Sequence, residues 1–260
     1  MPLQLKTNPE SPLRVLVWDE NPGHVPEAIY PEGMRETLAR VLREKGLNGL
    51  REIPCALQTA HLDQPEQGLP DALLAETDVL VWWAHLRHAE LSDSRTAAIV
   101  KAVETRGLGL VVLHSAHYAK PFLQLLKTTG HLKGGWHENG QPEEIRVCAP
   151  QHPIAQGISD FTLPAEEMYG APFDVPAPEC LVFQSYFPQA QRFFPSGLAW
   201  SVGAGIDPNF ASGPGGGQGQ GEGQGRIFYF RPGHEAHPTY FHPQVQALLF
   251  NAVCWAGHRI

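Results

Sequence analysis

The chain has 260 residues, 42% of them hydrophobic, and a formal net charge of −8 with histidine neutral. This allows one large core or two small ones, excludes a basic footprint for nucleic acid, and leaves no run near the ~20 apolar residues of a membrane span. The four cysteines, Cys55, Cys148, Cys180 and Cys254, form no C-x-x-C pair, so reduced thiols and a cytoplasmic location are expected.

Residues 1–12 are polar and proline-spaced and lack the apolar centre of a signal peptide, so a loose tail is expected before a single domain at 13–260. Residues 13–18 form a short apolar run, read as a buried strand. Pro31 suits the first turn of a helix to Lys45, with Met34, Leu38, Val41 and Leu42 on one face and Gly46 at its stop. A second strand is expected at 51–57, weakened by Pro54, then a short helix at 71–76 and a buried strand at 78–83. Ser92 caps a helix that turns Ala98, Ile99, Ala102 and Val103 inward and closes at Gly107. Residues 108–113 are a further apolar strand, followed by a helix at 117–127. Strands without polar alternation have both faces covered, the mark of a parallel sheet. The expected fold is therefore α/β, an open, doubly wound, mostly parallel sheet with right-handed crossovers.

The second half is less regular. Strands are expected at 144–149, 180–186, 198–202 and 226–230, with a polar loop at 164–170. A last helix starts near Pro243 and buries Val245, Leu248, Leu249, Ala252 and Val253. Residues 203–225 are glycine-rich and read as a flexible hairpin loop. Their glycines neither follow a strand nor open a helix, which argues against a phosphate cradle.

Open α/β sheets bind ligands beyond the carboxyl ends of their strands. The polar residues at those ends are Asp19, Glu20 and His24; His85 and His88; His114, Ser115 and His117; and Arg231, His234, Glu235 and His237. Two chemistries suit them. Neutral imidazoles with a carboxylate can hold a divalent metal, and His85 and His88, three apart, could bind jointly with His24 and Glu20. A His–Glu cluster can also move protons near neutral pH without a metal. Against both stands the plain alternative that a strand-end histidine often only bonds a loop carbonyl. Ser115 sits at a strand-to-turn bend where an elbow would expose it, but the flanking glycines of G-x-S-x-G are missing, which favours a hydrogen-bonding role. Gly134 to Glu138 joins glycines to Trp136, His137 and an acid, and 164–170 carries Glu166, Glu167 and Tyr169. Aromatic faces there could stack on a sugar while paired acids handle hydroxyls and protons.

At these segments the sequence resembles the trehalose-utilisation (ThuA-like) family. The matching stretches are 17–20 with His24, 29–34, 79–83 with His85 and His88, 112–117, 152–154, 166–170, and 227–235 with Pro238. Together they span about residues 14 to 256. The resemblance implies a flavodoxin-like three-layer sandwich of glutamine-amidotransferase type, with His114 and Ser115 where the amidotransferase cysteine would stand, so no glutamine hydrolysis. His234 resembles the histidine that follows a late strand in that triad. The resemblance also implies disaccharide catabolism, on 3-keto sugars made by a partner dehydrogenase. Two departures are the long 203–225 loop and Asp19 where Asn is common.

The expectation carried forward is a sugar-processing isomerase, lyase or hydrolase using metal-assisted acid–base chemistry on a disaccharide or its 3-keto derivative. A non-catalytic sugar-binding or regulatory protein is the alternative. His24, His85, His88 and Glu20 are expected to hold Zn or Mn. Glu167 and His234 are the expected acid and base, and His114 and His117 position the substrate. Ser115, Trp136, Glu138, Tyr169 and Arg231 are the expected substrate contacts. A homo-oligomer is expected, with no nucleic-acid or membrane partner.

Overall fold

A computed structural model describes residues 11–48, 53–203 and 224–260. Most of the expected tail, the first two residues of the expected 51–57 strand and nearly all of the glycine-rich loop lie outside the described residues.

The elements run β1 (Leu13–Asp19), α1 (Met34–Asn48), β2 (Cys55–His61), α2 (Asp71–Glu76), β3 (Val79–Trp83), α3 (Asp93–Arg106), β4 (Gly109–Leu113), α4 (Lys120–Leu126), β5 (Trp136–Val147), β6 (Phe161–Tyr169), β7 (Cys180–Phe187), β8 (Arg192–Val202), β9 (Gly225–Phe230) and α5 (Pro243–Ala256). Among the described residues the strands form one nine-stranded sheet in the order β2-β1-β3-β4-β9-β8-β7-β5-β6. The block from β2 to β9 is parallel, as expected. From β9 outward the pairs β9–β8, β8–β7, β7–β5 and β5–β6 are antiparallel.

Alternate residues of the parallel strands feed two cores. Val15, Val17, Val79, Val81, Val111 and Phe228 pack with α1 and α5. Leu16, Leu80, Trp82, Leu110, Val112 and Tyr229 pack with α3 and α4 on the other face. Each such side chain, fully removed from water, contributes ~1.5–3 kcal/mol. These helices on both faces make the three-layer α/β sandwich.

Several boundaries differ from expectation for local reasons. The helix expected from Pro31 starts at Met34, because Gly33, at φ +78°, closes a turn by donating its N–H to Tyr30 O. β2 begins after Pro54, which has no N–H for the ladder and instead accepts from Leu13 N. The helix expected at 117–127 is a 3₁₀ turn, His114–Tyr118, followed by α4. β5 starts eight residues before the expected strand. The 164–170 segment, expected as a loop, is the end of β6, whose edge position tolerates Pro164. Ser92 does cap α3, accepting from Arg95 N, and Gly107 ends it in the left-handed region.

Candidate functional site

The sheet register sets the site. Trp83, Leu113 and Phe230 are level across β3, β4 and β9, so the residues that follow these strands emerge side by side. His114 comes directly after β4 with φ +53°. A side chain held in the left-handed region at the end of a buried strand marks a bend fixed by its surroundings. The strained elbow residue is therefore His114. Ser115, the expected exposed position, is buried, with its Oγ 2.8 Å from the Tyr169 hydroxyl.

Nδ1 of His114 lies 3.4 Å from the Arg231 carbonyl. A carbonyl only accepts, so Nδ1 carries the hydrogen and Nε2 presents its lone pair. That Nε2 lies 3.5 Å from Glu167 Oε2, and neither atom has a hydrogen-bond partner. Beside it, His85 Nδ1 is 2.9 Å from Glu235 Oε1, and His24 Nε2 approaches the same oxygen at 3.3 Å. His234 places Nε2 3.8 Å from Glu235 Oε1 while its Nδ1 accepts from Ala236 N. One ligand atom from each of His85, His114, His234 and Glu235 lies within 4.8 Å of the others. Glu138, His234 and His237 form an adjoining group of the same kind, in which His237 Nε2 is 2.9 Å from Glu138 Oε1.

Burial disfavours a charged His85, but its hydrogen bond to Glu235 and the nearby carboxylates outweigh burial and raise its pKa. Burial alone would raise Glu235, but the His85 hydrogen bond together with the charges of His85 and His234 lowers it. Complete burial, with the charges of His85, His234 and Arg231, holds His114 well below the imidazole range. Burial pushes Glu167 up to about 7, against the pull of Arg231. The cluster thus combines a hydrogen-bonded His85–Glu235 pair with a neutral imidazole facing an acid whose pKa is raised to about 7.

The turn after β9 is fixed from three sides. Trp83 Nε1 donates to Gly233 O at 3.1 Å, Tyr30 OH donates to His237 O at 2.6 Å, and Glu166 accepts from Gly233 N at 3.1 Å.

The structure brings His24, His85, His114, Glu167 and His234 together, with Glu138 at the edge. It separates others from them. The Glu20 carboxylate is fully buried and accepts from Leu86 N at 2.8 Å and Arg87 N at 2.7 Å. Its lone pairs shape the turn after His85 and are not offered to a metal. His88 stands against Tyr118, outside the cluster, with both ring nitrogens buried and unpartnered. His117 is fully buried; its Nδ1 donates to Gly130 O at 2.8 Å, and Tyr118, Tyr169, Phe173 and Tyr229 surround its ring. It packs as a core histidine, apart from the cluster. Arg231, expected at the substrate, is also fully buried, bonded to Glu143 and lying over Tyr169 and Phe187. Tyr169 is buried as well and offers no open ring face. Trp136 pairs across the strands with Tyr169 and is 61% exposed, so it alone of the expected stacking residues presents a ring to solvent. Glu235 and His237, seen in the sequence only as strand-end residues, belong to the clusters. Their signal was the close spacing His234-Glu235-x-His237 after a buried strand.

A family profile described as trehalose utilisation, ThuA, matches residues 14–256. The chain belongs to the ThuA family. Among solved structures, a protein described as ThuA-like from Parabacteroides merdae shares 14% identity at TM-score 0.63, over 95% of this chain and 90% of that one. A second, from Bacteroides uniformis, shares 17% identity at TM-score 0.54, over 95% and 92%. These likenesses show that the fold is shared with ThuA-like proteins. Among curated proteins none is a significant sequence match. Among the described residues of this ThuA-family chain, no helix is long and apolar enough to cross a membrane.

Proposed function

We propose that this ThuA-family chain is a carbohydrate-processing enzyme acting on a disaccharide or its 3-keto derivative by acid–base chemistry in the histidine–glutamate cluster. The observation that carries the reading is the buried convergence of His85, His114, His234 and Glu235, with Glu167 Oε2 facing His114 Nε2 and both of these atoms unpartnered. Buried polar atoms without partners mark where a ligand completes the hydrogen bonding. A keto group acidifies the C–H beside it, and removal of that proton leads to isomerisation or to loss of a glycosidic leaving group.

The donor set also fits a divalent ion such as Zn or Mn. His114 Nε2 and Glu235 Oε2 are buried lone-pair donors with no protein partner, and His85 brings a nitrogen into the same space. Such an ion supplies polarisation of a substrate carbonyl. The chain's own residues do the rest. Glu167 Oε2 is free to take a proton from carbon, and His234, held by Ala236 N, is placed to return one. Glu235 orients His85 through Nδ1, and the Arg231 carbonyl orients His114. Exposed Trp136 offers a face on which a sugar ring stacks. A keto substrate requires a sugar dehydrogenase as supplier.

The test is metal analysis of the purified chain together with turnover of a 3-keto disaccharide, before and after chelation. Turnover that Glu167→Gln abolishes while sugar binding persists supports the enzyme. Saturable sugar binding with no turnover in any metal form overturns it in favour of a sugar-binding protein.

A further inference from the structure

Glu166 neighbours Glu167 on β6 but does not enter the cluster. It is fully buried, and each of its oxygens has two partners. Oε1 accepts from Gly233 N at 3.1 Å and from Thr239 Oγ1 at 2.5 Å. Oε2 accepts from Glu167 N at 3.2 Å and faces Arg231 Nη1 at 3.4 Å. One carboxylate therefore ties β6 to both ends of the turn that carries His234 and Glu235. Arg231 completes the brace. Its Nη1 donates to the Glu167 carbonyl, its Nη2 to Glu143, and its own carbonyl receives His114 Nδ1. The Glu167 backbone is thus held at its N–H by Glu166 and at its C=O by Arg231.

From this geometry we infer that Glu166 is a positioning residue: through Gly233, Thr239 and Arg231 it sets the separation between Glu167 on β6 and the His234–Glu235 turn. The inference rests on the cluster being the working site. Groups that touch no ligand but orient those that do typically change metal affinity about 10- to 100-fold when removed.

The test uses the 260-residue chain, Co(II) alone as probe, and hydrogen exchange of backbone amides. Glu166→Ala is expected to weaken Co(II) binding about tenfold or more and alter the cobalt absorption spectrum. It should also speed exchange at 233–239 about tenfold or more while the amides of β1, β3 and β4 keep their protection. Glu166→Gln keeps an oxygen for Gly233 N and Thr239 Oγ1 but turns an amide NH2 toward the donors Glu167 N and Arg231 Nη1, so turn exchange should fall between the parent and the alanine variant. Thr239→Val, which removes one tether and leaves Glu166 intact, should loosen the same amides and serves if Glu166→Ala does not fold. Unchanged turn exchange in Glu166→Ala or Thr239→Val, or Glu166→Gln exchanging as fast as the alanine variant, overturns the inference. If the parent chain takes up no Co(II), the metal part of the functional reading fails, and the exchange rates still decide the role of Glu166.

Discussion

Nε2 of His114 and Oε2 of Glu167 face each other at 3.5 Å inside the protein, each without another hydrogen-bond partner. One comes from a strained bend after β4 and the other from an edge strand of the antiparallel block, so both halves of the sheet build this contact. If Glu167 transfers the proton, Glu167→Gln should lower kcat on a 3-keto disaccharide by about 10²–10⁴-fold. The amide is isosteric, so KM should change little. A change confined to KM would assign Glu167 to binding.

The metal reading separates His85 and Glu235 from Glu20. His85→Ala and Glu235→Ala should each weaken Zn or Co(II) binding severely, measured by competition with a chromogenic chelator. Glu20 serves backbone amides instead. Glu20→Ala leaves Leu86 N and Arg87 N without their buried acceptor, so stability should fall by about 1–3 kcal/mol in urea denaturation. Loss of metal by Glu20→Ala with unchanged stability would reverse this assignment.

The parallel half of the sheet was legible because 79–83 and 109–113 are apolar on both faces, which only a covered strand requires. The end of β6 was not legible. Its Glu166 and Glu167 look like solvent residues in sequence, and the partner that makes Glu166 tolerable inside, Arg231, lies 65 positions away. The same distance problem divided the site wrongly. The strand-end rule found the candidates, but spacing joined His88 to His85, and a place at the neighbouring strand end joined Glu20. The fold spends the Glu20 lone pairs on neighbouring amides and turns His88 toward Tyr118. What a carboxylate bonds is a tertiary fact, and local pattern does not contain it.

Gly233 offers a test of the turn itself. Its φ is +132°, and a Cβ there would lie 2.0 Å from the Tyr240 hydroxyl. Gly233→Ala therefore meets both backbone strain and a clash and should cost at least about 2 kcal/mol. The Tyr240 hydroxyl has no hydrogen-bond partner, so Tyr240→Phe alone should stay within about 1 kcal/mol of the parent. The double variant should recover only part of the loss, since it removes the nearest atom but leaves the ring Cζ at 2.6 Å and the backbone strain. Additive effects in the cycle would show that the hydroxyl is not the obstacle.

His117 predicts a pH dependence. Burial pushes its pKa down to about 3, so it stays neutral in the folded chain across mildly acidic pH. In the unfolded chain it titrates near the ordinary value of about 6.5. Below that pH the unfolded state binds a proton that the folded state refuses. The contribution of His117 is therefore fully present above about 6.5 and is lost as pH falls toward 3. Buried carboxylates such as Glu143, raised to about 7 by burial, titrate in the opposite sense, so the parent curve alone does not isolate it. The difference between parent and His117→Asn does. At about pH 7.5 the variant should be the less stable, having lost the Gly130 contact and ring packing. By about pH 5 that penalty should shrink by about 2 kcal/mol, the cost of protonating one unfolded-state imidazole over about 1.5 pH units. A penalty constant between the two pH values would mean that His117 takes up its proton in the folded chain, and its place in the core would have to be reconsidered.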